Sequence, residues 1–100
     1  MVARPKPRRD EDLSRVIATA LKRGSVLPSG HFRRRMRERN FDMTDAITVL
    51  EARKQIKAVW NDKAGAWNYD VPGIDLDGNE LTIRIALADE RNGIILVTGF

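Results

Sequence analysis

The sequence predicts an α+β fold in which N-terminal helices pack on one face of a four-stranded antiparallel sheet. Three observations predict it. Apolar residues recur at helical spacing through the first half of the chain, and from Lys54 onward the period shortens to two. The strand-like stretches are separated by short turns, which implies an antiparallel meander. Helices first and strands after is the order of α+β domains.

Residues 1–9 read Met-Val-Ala-Arg-Pro-Lys-Pro-Arg-Arg. Alternating prolines block a helix and the cations repel one another, so a flexible basic arm is expected, followed by a single domain over residues 10–100. The first helix is expected from Glu11 to Arg23, with Leu13, Val16, Ile17, Ala20 and Leu21 on its core-facing stripe. Asp10, Glu11 and Asp12 suit its positive end, Lys22 and Arg23 its negative end, and Gly24 stops it. Val26 and Leu27 form a docking connector ended by Pro28. Ser29 caps a second helix that closes at Asn40, and Asp42 caps a third whose stripe is Ala46, Ile47 and Leu50.

The strand half then follows. Ile56, Ala58 and Trp60 alternate with Gln55, Lys57 and Val59, up to a turn at Asp62–Gly65. Trp67, Tyr69 and Val71 alternate with Asn68 and Asp70, and Pro72-Gly73 ends that strand. A turn at Asp75–Asn79 leads into Leu81, Ile83, Ile85 and Leu87, alternating with Thr82, Arg84 and Ala86. Another turn, Asp89–Gly93, precedes a last strand over Ile94–Phe100.

Composition narrows the function classes. One hundred residues suffice for one domain that buries roughly two thirds of its unfolded surface. A formal net charge of +4 points to an acidic partner, commonly nucleic acid. The absence of cysteine excludes disulfides and thiolate metal sites, and a single histidine argues against a histidine zinc site, so no metal or cofactor is expected. Asp75–Glu80 lacks the length and closing glutamate of a calcium loop. No apolar run approaches a membrane span and no secretory leader is evident, so a cytoplasmic location is expected.

The segment His31-Phe32-Arg33-Arg34-Arg35-Met36-Arg37-Glu38-Arg39 carries five arginines in nine residues. On a helix, His31, Arg35 and Arg39 line up beside the Phe32/Met36 stripe. Guanidinium groups are permanent planar donors suited to phosphate, which makes Arg33, Arg35, Arg37 and Arg39 nucleic-acid-binding candidates. A solvated arginine face with a helix-start histidine accounts for the segment equally well. In the sheet, alternation projects Thr82 and Arg84 away from the helices, and Lys57 joins them, giving a possible phosphate-binding surface. Histidine is the side-chain type that ordinarily titrates near neutrality, so His31 is the acid/base candidate, with Tyr69 as an alternative proton donor or base-stacking ring.

His31-x3-Arg35-Met36-x-Glu38-Arg39, the helix from Asp42, the Asp77-Gly78 turn and the two final apolar strands resemble domain-of-unknown-function family 4258, grouped with the RelE/ParE toxin fold. The resemblance runs from about Gly30 to the end. The layout is also similar to the MqsR toxins, RelE-like ribonucleases that cleave messenger RNA. Lys57 stands where that family has an active-site lysine, and Trp67-Asn68 where it has a tryptophan followed by a functional glutamine. Thr82 replaces a tyrosine, Arg84 stands two residues later in place of a lysine, and the family's basic residue near the C-terminus has no counterpart.

The resemblance implies a RelE-like domain acting as a metal-independent endoribonuclease on messenger RNA, on the ribosome or off it. It would be one half of a toxin–antitoxin pair, neutralised by an acidic antitoxin protein. Lys57, Arg84, His31, Tyr69 and Asn68 would form its catalytic set. The alternative is the same fold as a non-catalytic nucleic-acid- or protein-binding module.

Overall fold

The computed structural model describes residues 4–88 and 93–100; the turn expected at Asp89–Gly93 lies almost wholly outside them. In the described residues three helices and five strands follow in the order α1 (Asp10–Arg23), β1 (Val26–Pro28), α2 (Gly30–Arg39), α3 (Met43–Ala52), β2 (Lys57–Asn61), β3 (Ala66–Ile74), β4 (Glu80–Leu87) and β5 (Ile94–Gly99). The sheet order is β1-β5-β4-β3-β2. The α+β class stands, but the sheet has five strands and is mixed, not four and antiparallel. The extra strand is the connector: Val26, Leu27 and Pro28 pair in parallel with Ile94, Ile95 and Leu96. Three residues are too few to show a period of two, so the pairing is fixed by β5 and not by local pattern.

Capping explains the helix boundaries. Gly24 adopts φ 70° and closes α1 through its N–H to Ala20 and Leu21 carbonyls. The Ser29 hydroxyl accepts from Phe32 N–H and donates to the Val97 carbonyl, so one side chain caps α2 and ties it to β5. Asn40 at φ 57° closes α2. Asp42 and Asp45 then exchange side-chain and backbone hydrogen bonds in a capping box. Asp45 also accepts from Leu76 N–H, which fastens the β3–β4 turn to α3.

The helices cover one sheet face. Leu13, Ile17 and Ala20 of α1, Phe32 of α2, and Ala46, Val49 and Leu50 of α3 join Tyr69, Val71, Leu81, Ile83, Ile85, Ile94 and Leu96 in one core. Each fully buried large apolar side chain stabilises by about 1.5–3 kcal/mol. The approach is close at two glycines. A Cβ on Gly73 would lie 2.9 Å from Val49 Cγ1, and one on Gly99 would overlap the Phe41 ring.

Strand β3 continues through Pro72-Gly73 to Ile74 instead of ending there. Pro72 is tolerated because its register partner, Thr82, uses its own N–H and carbonyl on Phe100. No ladder bond is therefore lost to the ring.

Residues 4–9 lie against β2 and β3. Trp67 Nε1–H donates to the Pro5 carbonyl at 2.7 Å, and Arg8 N–H donates to the Tyr69 hydroxyl at 2.9 Å. The Arg4 guanidinium sits 5.2 Å from the Trp60 ring centre.

Candidate functional site

The sheet face turned away from the helices carries a polar row. Cross-strand register places Lys57 opposite Asp70, Asp70 opposite Arg84, and Arg84 opposite Thr98. Directly opposed residues project to the same side, so four side chains from β2, β3, β4 and β5 stand in line. At about 4.8 Å per strand the row is roughly 14 Å long. The burial pattern explains why sequence produces it: Tyr69, Val71, Ile83 and Ile85 point into the core, which forces Asp70 and Arg84 outward.

At the centre, Arg84 grips Asp70 in a two-pronged ion pair. Nε donates to Oδ1 at 2.7 Å and Nη2 to Oδ2 at 2.9 Å. The Asp70 hydrogen bonds hold the guanidinium titration above its ordinary value. The Arg84 guanidinium also lies 5.4 Å from the Phe100 ring centre. Lys57, at the exposed end of the row, has no carboxylate within 4 Å among the described residues. The neighbouring row holds Asn68 between Val59 and Ala86, and the next holds Thr82 opposite Pro72. Asn68 is 6% exposed despite facing away from the helices, since it occupies a central strand between two apolar neighbours.

Four sequence-derived candidates, Lys57, Arg84, Asn68 and Thr82, therefore share this face. Tyr69 does not: it is buried on the opposite face among core residues, with its hydroxyl held by Arg8. His31 stands at the exposed start of α2, in the helical layer, where its Nδ1 accepts from Arg34 Nη2 at 3.1 Å. Arg33, Arg37 and Arg39 are exposed on the same helix, while Arg35 turns inward and donates from Nε to the Gly99 carbonyl at 3.3 Å. The candidates thus fall into two groups, a sheet-face row and a helix.

Asp70 is the residue that sequence reasoning passed over. Its parity with Asn68 marks it as outward-facing, but its pairing with Arg84 depends on the β3/β4 register, which strand alternation does not supply. Among the described residues no three His, Cys, Asp or Glu side chains gather as a cation site. No helix of the described residues is long and apolar enough to cross a membrane. No protein-family model, curated protein or solved structure matches this chain.

Proposed function

We propose that the chain is a toxin-like endoribonuclease that cleaves messenger RNA in the cytoplasm on its uncovered sheet face, as one half of a toxin–antitoxin pair. The supporting observation is the Lys57–Asp70–Arg84–Thr98 row, which sets a cation, an oriented carboxylate, a guanidinium and a hydroxyl in register. RNA cleavage by an internal nucleophile needs those functions. Asp70 takes the proton of a 2′-hydroxyl, and the 2′-oxygen attacks phosphorus. The bond from phosphorus to the 5′-oxygen breaks, and Lys57 gives its proton to that oxygen. Arg84 orients Asp70 and, with Thr98, faces the charge that develops on the phosphate. The products are a 2′,3′-cyclic phosphate and a 5′-hydroxyl.

This assignment gives the proton steps to Asp70 and Lys57, because His31 lies in the helical layer bonded to Arg34 and Tyr69 lies in the core. The test is incubation of the purified chain with labelled messenger RNA, followed by analysis of the ends. Cyclic phosphate ends that vanish with Asp70→Asn and with Lys57→Ala support the reading. Intact RNA, together with normal growth of a bacterial host expressing abundant folded protein, overturns it.

One observation favours a second reading. Nε and Nη2 of Arg84 are already engaged by Asp70, so the row holds less free positive charge than its sequence suggests. A binding module without catalysis would rely on the α2 arginines instead. It would bind RNA in a salt-dependent manner without cutting it.

A further inference from the structure

A second feature stands apart from the sheet-face row. Between α2 and α3 runs an apolar groove of about 500 Å³, lined by Pro28, Met36, Phe41 and Met43, with Arg33 and Arg37 contributed by α2 and Asp42 by the start of α3. We propose that this groove docks an acidic amphipathic helix of a partner protein.

Charge is the first argument. Helix α2 holds five arginines and one glutamate, a formal +4, and the whole chain is also +4. Outside α2, thirteen basic residues meet thirteen acidic ones, so the molecule's entire excess of positive charge sits on this helix. The partners within the helix are unevenly shared. Arg34 and Arg35 both approach Glu38, at 3.7 and 3.9 Å. The two arginines on the groove wall, Arg33 and Arg37, have no carboxylate within 4 Å among the described residues.

The lining is the second argument, and it decides between classes of partner. A phosphate backbone needs cations but no apolar floor. Here the floor is apolar and includes both internal methionines of the chain. Methionine is flexible and polarisable, and it is over-used where a surface must fit a partner's side chains. Helix-in-groove recognition places apolar anchors at i, i+3, i+4 and i+7 on such a floor. Arg33 and Arg37 lie one helical turn apart, about 6 Å along the axis. That spacing matches an Asp/Glu pair four residues apart on the incoming helix. Asp42 is the one acidic wall residue and is occupied as the α3 cap, accepting from Asp45 N–H. Its charge sets the orientation: the partner's acidic flank turns toward α2 and its neutral flank toward α3.

The inference does not rest on the nuclease reading, and its test separates the two. The full chain is panned against phage-displayed 16-residue helical peptides with fixed apolar residues at i, i+3, i+4 and i+7 and flanks randomised between Glu, Lys and Ser. The expected result is enrichment of Glu on one flank. Enriched peptides should lose at least tenfold in affinity for the Arg33→Glu/Arg37→Glu variant and for Met43→Gln. Both arginines are exposed, so the double variant should melt with the parent, and it alone decides if Met43→Gln fails to fold. Lys57→Ala, on the opposite layer, should bind the same peptides unchanged, whatever its effect on RNA. No enrichment, lysine-flanked peptides, or equal binding to the double variant overturns the proposal. So does a ten-nucleotide oligouridine that binds wild type, fails with the double variant and has no acidic peptide as competitor, which would give the helix to nucleic acid.

Discussion

Arg84 illustrates how a single register position changes the meaning of a residue. From alternation alone it is a solvent-side arginine, whose removal would cost within about 0.5 kcal/mol. In the folded chain it satisfies both oxygens of Asp70, whose side chain is 14% exposed. Arg84→Ala strands that carboxylate on the sheet. Hydrogen bonds to charged groups contribute about 1.5–3 kcal/mol, and the partial exposure of this pair brings the expectation to the lower part of that range. A double-mutant cycle with Asp70→Ala, read by urea unfolding, should return a coupling of about 1.5–2 kcal/mol. Additive losses would show that the two prongs contribute nothing to the fold. The row was half legible in the sequence for the same reason. Parity tells which face a strand residue takes, and so it grouped Lys57, Thr82 and Arg84. It cannot tell which residues stand opposite one another, so Asp70 was passed over. Tyr69 was misjudged in the opposite sense: it shared a stripe with Trp67 and Val71, and that stripe is the buried one.

At the scale of elements, sequence was clearest where a side chain closes a local hydrogen-bond loop. Ser29, Asn40 and Asp42 mark the helix ends because capping is decided within three residues. It was weakest where the partner is remote, as in β1, whose strand neighbour β5 lies nearly seventy residues later. The joint between the α2–α3 hairpin and the sheet is tight enough to test. Phe41 packs edge-on against Phe32, with ring centres 5.6 Å apart, and presses on Gly99. A methyl group at Gly99 cannot fit without moving that ring or the strand. Gly99→Ala should therefore destabilise by about 1–3 kcal/mol, the range for overpacking, as read from thermal or urea melts. A neutral result would mean that the aromatic pair slides freely over β5.

For the molecule as a whole, acid stability should report on Asp45, which links α3, its preceding turn and the β3–β4 turn. Hydrogen bonds from Asp42 N–H, then from Leu76 N–H, hold its carboxyl below the ordinary value of 3.8. A depressed native titration means that the unfolded chain takes up the proton first as pH falls. The stabilisation is thus complete above the unfolded value, near 4, and disappears as pH drops through the lower native one. Asp45→Ala should melt well below wild type at pH 6–7, and the gap should narrow steadily below about pH 4. Parallel melting curves across that range would remove Asp45 from the acid response.

The position of β5 also has a kinetic consequence. The strand pairs with β1 in parallel and with β4 antiparallel, and α1, α2 and Ser29 all lean on it. During synthesis, the N-terminal half therefore emerges with its apolar stripes formed but with nothing to receive them. Closing loops that long is slow. The nascent chain should remain protease-sensitive and dependent on holding factors until β5 clears the ribosome, and then consolidate in one late step.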